Sequence, residues 1–120
     1  MIGVLKLRME LLLNKNKVDI AMVKHMIIWK LKDEIQDKEA VAKNIKVALE
    51  GLTGKIEGLL EMKILTEKFP CSAGDVMMDS TFTDEGALSY YHNHPLHKEI
   101  ANNIVRPSVQ TRLSFDYLVK

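Results

Sequence analysis

Four histidines and three tyrosines carry most of the chain's capacity for acid–base work near neutral pH. Three of the histidines crowd into Tyr91-His92-Asn93-His94-Pro95-Leu96-His97, and the fourth, His25, stands far upstream. An imidazole titrates near neutrality and can take or give a proton there, and a phenol beside it can donate to a developing oxyanion. His25, Tyr91, His94 and His97 are the candidates for such work. Each also has a structural reading. Tyr91 can be a core aromatic with its hydroxyl satisfied. His94, which precedes Pro95, can bond backbone groups at a helix break. His25 and His97 can share a buried hydrogen bond that ties a helix to a sheet. The spacing His92-x-His94-x-x-His97 raises zinc, since three imidazoles can hold that ion. The Pro95 break and the want of an adjacent carboxylate speak against it, so no metal is expected, and His92 reads as exposed.

The elements that must position these groups follow from residue alternation. Val23 to Leu31 (VKHMIIWKL) reads as a strand with Val23, His25, Ile27, Trp29 and Leu31 on one face. Met26 and Ile28 put apolar groups on the other face, so the strand is expected to be central and covered on both sides. Residues 38 to 51 are expected to be helical, with Val41, Ile45, Ala48, Leu49 and Leu52 on one side. Gly51 or Gly54 is suited to the left-handed cap that ends it. Leu59 to Thr66 and Asp75 to Phe82 read as strands, the latter with Val76, Met78, Ser80 and Phe82 on one face. Thr83 and Asp84 are helix-start residues. The helix they open breaks at Asn93-His94-Pro95, and proline suits the first turn of a second segment, from about Pro95 to Ile104. Thr111 to Val119 is the last strand.

The order β-α-β-β-α-β with short strands implies an antiparallel, ferredoxin-like α+β sheet with its helices on one face. The other face then needs a cover, and a second copy of the chain is the economical one. A homodimer through sheet faces is therefore expected.

Three stretches carry a resemblance to a known family: VKHMIIWKLKDE at 23–34, STFTDEGALSYYHNHPLHKEIANNIVRP at 80–107 and FDY at 115–117. Together they resemble the stress-responsive dimeric α/β barrel proteins over nearly all of 22–120. The resemblance implies two ferredoxin-like domains with their sheets face to face. The family includes a polyketide cyclase, olivetolic acid cyclase, that works by aldol condensation without a cofactor, so none is expected here. By that likeness Tyr91 and His97 match an acid–base couple. Aldol closure needs a base to take a proton next to a carbonyl and a donor for the enolate oxygen. His97 lies in the first turn after Pro95, where the helix dipole favours a neutral ring. His25 is expected as pocket support, and Ile27, Trp29, Val76, Met78 and His94 as pocket lining. Val76 stands where the cyclase has a further pocket histidine.

Composition bounds the rest. The chain has 120 residues, 47% hydrophobic and 28% charged, the balance of one globular domain. Its net charge of +1 gives no bulk electrostatic argument for nucleic acid. Residues 1–21 carry four basic and two acidic groups and are expected to be an extension, a mis-set start or a peripheral element. Without them the domain at 22–120 carries −1. The longest apolar run there is too short for a membrane span. One cysteine, Cys71, allows no internal disulfide, and a reducing cytoplasm is the expected home. The functional expectation is a small organic ligand held between sheet and helices. Cofactor-free acid–base catalysis on a carbonyl or polyketide-like substrate, and a non-enzymatic protective dimer, stand as alternatives.

Overall fold

A computed structural model describes residues 21–120 of the chain. The segment read as an N-terminal extension lies outside the described residues. Strand β1 (Val23–Leu31) leads to helix α1 (Lys38–Glu50), β2 (Leu59–Leu65) and β3 (Val76–Phe82). Helices α2 (Glu85–Asn93) and α3 (Pro95–Ile100) follow, then a wide π turn (Ala101–Val105), a 3-10 turn (Arg106–Ser108) and β4 (Val109–Leu118). The four strands form one antiparallel sheet in the order β2-β3-β1-β4. This is the ferredoxin-like arrangement that the order of elements predicts.

Strand β1 is central and alternates as read: Val23, His25, Ile27, Trp29 and Leu31 are all buried. They meet Ala42, Ile45 and Leu49 of α1 and the inward residues of β2 and β3 in one continuous core. Asp37 opens α1 by accepting from the Ala40 N–H at 3.0 Å. The positive φ after α1 falls at Gly54 (82°) and Gly58 (89°), while Gly51 stays right-handed. A Cβ on Gly58 would lie 2.5 Å from the Ala87 Cβ, so this glycine lets the turn close against α2.

Two expectations are corrected. The residues after Pro95 do not run as one helix to Ile104. The α-helix ends at Ile100 and widens to the π turn, because Pro107 has no N–H to continue a regular ladder and the chain must turn into β4. The β4 strand begins two residues earlier than read, since a register shift between Lys30 and Leu31 lets Val109 pair with Leu31. Within one chain, moreover, β1 is covered on one side only. Its outer residue Ile28 is 43% exposed, and Leu113, Phe115 and Tyr117 of β4 lie exposed on the same outer face.

Candidate functional site

The helix break is what gathers the polar groups. Asp84 caps α2 by accepting from the Ala87 N–H at 2.7 Å. The helix then carries Leu88, Tyr91 and His92 toward the sheet at spacings of three and four. His94 leaves the helix in an extended conformation, and its Nδ1 accepts from the Leu96 N–H at 3.1 Å. Pro95 occupies the first turn of α3, and the reversal brings His97 back over Tyr91. Their rings lie 4.3 Å apart, centroid to centroid, tilted by 42°. Six residues and a helix break separate the two in sequence, yet their rings pack together.

From the sheet, His25 projects under α2, 2% exposed. Its Nδ1 meets Asp116 Oδ1 of β4, the residue directly opposite it in the β1–β4 register. A carboxylate there accepts from Nδ1–H, which leaves Nε2 of a neutral ring as an acceptor. That Nε2 faces His92 Nε2 at 3.4 Å, with the two rings nearly perpendicular at 82°. His92 Nε2–H is therefore the donor of this pair. The His92 backbone carbonyl in turn accepts from His97 Nδ1 at 3.2 Å, which leaves His97 Nε2 with its lone pair.

The surroundings of His92, His97 and Tyr91 favour their neutral forms. Burial holds His92 below the usual histidine value, with the charge of Arg112 adding to the effect and that of Asp116 opposing it. Burial also lowers His97, against a raising contribution from its bond to the His92 carbonyl. Burial pushes the Tyr91 phenol well above its ordinary value, so it stays protonated.

These side chains line a cleft of about 440 Å³ between the helices and the sheet. Ile27, Trp29 and Met78 give it an apolar floor, while Arg106 and Arg112 flank it. A wider hollow of about 630 Å³ lies at the start of α1. Of its four lysines, Lys46 and Lys68 are paired, with Glu50 at 2.9 Å and Asp75 at 2.5 Å, and no candidate residue borders it.

Of the residues singled out in the sequence, His25, Tyr91, His97, Ile27, Trp29 and Met78 meet at this cleft. Val76 and His94 do not line it. Val76 pairs directly with Trp29 and is sealed in the core at 2% exposure, and the His94 ring is committed to the Leu96 N–H of its own helix. His25 bonds Asp116 and His92 rather than His97. His92 is half-buried in the site rather than exposed, because it shares the inward side of α2 with Leu88 and Tyr91. That i, i+3, i+4 spacing was the signal that could have found it. Asp116, Arg106 and Arg112 are further additions. Among the described residues no group of three or more His, Cys, Asp or Glu side chains is arranged to hold a metal ion.

The model of the stress responsive A/B barrel domain matches residues 23–119. The chain belongs to the stress responsive A/B barrel (Dabb) family. Among solved structures, this Dabb domain is similar to a dimeric protein of unknown function with a ferredoxin-like fold from Bacteroides fragilis NCTC 9343. The two are 27% identical with a TM-score of 0.75, over 82% of this chain and 96% of that one. A Dabb family protein with a ferredoxin-like fold from Mesorhizobium loti MAFF303099 is 22% identical, with a TM-score of 0.68 over 83% and 98% of the two chains. Hydroxynitrile lyase from Passiflora edulis shares the fold at 16% identity, with a TM-score of 0.70 over 83% and 94%. No curated protein sequence matches this Dabb domain. No helix among its described residues is long and apolar enough to cross a membrane.

Proposed function

We propose that the cleft binds a small organic carbonyl compound and moves a proton on it without a cofactor, in a homodimer joined through the outer sheet faces. One observation carries the chemical part. A neutral His97 has its Nδ1–H committed to the His92 carbonyl, and its ring packs at a tilt against a Tyr91 phenol that burial keeps protonated, at the wall of an apolar-floored cleft. That arrangement suits His97 Nε2 as the base that takes a proton from the carbon next to a carbonyl. The carbonyl oxygen then takes up the electron pair as an enolate, and Tyr91 O–H donates to it. Return of the proton to carbon, or attack of the enolate carbon on a second carbonyl, completes the cycle with nothing oxidised or reduced. His25, held by Asp116, fixes the tautomer of His92, whose carbonyl holds His97. The dimer is supported by the exposed apolar row on the outer sheet face and by the Bacteroides fragilis neighbour, described as dimeric. The Passiflora edulis hydroxynitrile lyase is a fold neighbour that is an enzyme.

The test is hydrogen exchange at carbon. With 4-phenyl-2-butanone in deuterated buffer near neutral pH, proton NMR is expected to report faster loss of the protons beside the carbonyl when the protein is present. His97→Ala is expected to lower that rate about 100-fold or more. Tyr91→Phe, which keeps the ring packing, is expected to lower it with little change in melting temperature. No acceleration by the wild type, or an equal rate with a folded His97→Ala variant, overturns the proposal.

A further inference from the structure

The polar lining of the cleft is one-sided in sign. His25, Tyr91, His92, His97, Arg106 and Arg112 supply its ionisable groups, and among the described residues no aspartate or glutamate lines it. Asp116, the nearest acid by contact, is engaged with His25. The two arginines come from different elements, Arg106 from the turn that follows the π turn and Arg112 from β4, and both border the cleft. Arg106 is oriented by its own neighbour, since its Nη1 donates to Asn102 Oδ1 one turn back. Neither guanidinium has a carboxylate partner among the described residues. Both are exposed, so they keep their hydration until a ligand arrives. Their charge is felt inside: Arg112 acts on His92 and Arg106 on His97, each helping to hold the ring neutral.

A guanidinium recognises a planar oxyanion by paired hydrogen bonds, and two of them beside an apolar floor select for an anion with a greasy body. We infer that the cleft takes an organic acid, with its carboxylate held by Arg106 and Arg112 and its apolar carbon body laid over Ile27, Trp29 and Met78. This rests on the reading of the cleft as a ligand site and names the class of ligand. For a carbonyl substrate it means an oxo acid, whose carboxylate end is held while His97 works at the carbon beside the carbonyl. The same charge would hold the enolate oxygen more firmly than the neutral ketone, which is the direction catalysis needs.

Matched probes test it. 3-Phenylpropanoate and 3-phenylpropanamide have the same shape and differ in charge. In low-salt buffer at pH 7.5, titration calorimetry is expected to find the acid bound about tenfold or more tightly than the amide. Arg112→Gln and Arg106→Gln are each expected to remove most of that preference, weakening the acid far more than the amide. Added salt is expected to weaken the acid and spare the amide. Equal affinity for acid and amide, with both lost in His97→Ala, overturns the clamp and leaves the site reading standing. An acid preference that survives both arginine substitutions also overturns it. Binding of neither probe, nor of 4-phenyl-2-butanone, overturns the site reading and the clamp together.

Discussion

Replacing Phe115 by alanine is the sharpest test of how two copies meet. Phe115 stands on the outer face of β4, opposite Met26, and is 70% exposed in a single chain. A phenylalanine has roughly 150–250 Å² to bury. Seventy per cent of that, at about 25 cal/mol per Å², comes to about 3–4 kcal/mol per side chain. In a two-fold interface each copy contributes its own Phe115, so the sum is about 6–8 kcal/mol. Alanine keeps part of the contact, and interface area converts incompletely to affinity, so about half that sum is the working figure. The dissociation constant of the dimer should then rise about 100- to 1,000-fold. Sedimentation equilibrium over a dilution series reads this directly. The wild type is expected at twice 13.7 kDa, and Phe115→Ala is expected to move toward the single-chain mass at concentrations where the wild type stays paired. Val47, 64% exposed on α1 at the helix side, serves as the control, and Val47→Ala is expected to leave the dimer unchanged. A monomeric wild type, or an unaltered constant for Phe115→Ala, refutes the assignment of the outer face.

Three further outcomes follow. Gly58→Ala puts a side chain at φ 89° and 2.5 Å from the Ala87 Cβ, so a loss of about 2 kcal/mol or more is expected in denaturant unfolding; an unchanged midpoint would show that the turn relaxes freely. His94→Ala removes the acceptor of the Leu96 N–H and should cost about 1 kcal/mol, while ligand affinity stays as in the wild type. Stability should fall on acidification. Unfolded histidines titrate near 6.5, whereas His92 and His97 in the fold are held lower, so below that pH the unfolded chain takes up protons that the native chain refuses. Above it both states are neutral and the two contribute nothing. Melting temperatures between pH 7.5 and 5.5 are expected to drop for the wild type and to drop less for a His92→Gln/His97→Gln variant; equal slopes would clear the two rings of the effect.

The fold was legible because its signals are local. The period-two burial of Val23, His25, Ile27, Trp29 and Leu31, and the cap residues Asp37, Asp84 and Pro95, act within a few positions of themselves. The site was legible only as a set of residue types. That His25 meets Asp116 depends on the β1–β4 register, which joins residues 91 apart and follows from sheet order rather than from either strand alone. The widening at Ala101–Val105 had no sequence mark beyond Pro107 downstream. Arg112 reads as an ordinary surface residue of an edge strand until the helices are seen to stop short of β4.

Strand β4 joins the cleft to the outer face of the sheet. Leu113, Phe115 and Tyr117 turn outward, and Arg112, Ser114 and Asp116 turn toward the cleft side, as the two-residue period of a strand requires. β4 lies at the sheet edge, held by β1 alone, and its residues from Thr111 onward are exposed in a single chain. An edge strand with one neighbour and little packing is the part of a sheet that opens at least cost. Covering its outer face with a second copy would therefore also steady the arginine and the aspartate on its inner side. The two substitutions should then be linked. A Phe115→Ala protein diluted to the single-chain state is expected to bind 3-phenylpropanoate more weakly than the wild-type dimer, and to show faster amide exchange along β4 than along β3. Equal affinity in both states would mean that β1 pairing alone holds β4, and the sheet's two faces would be independent.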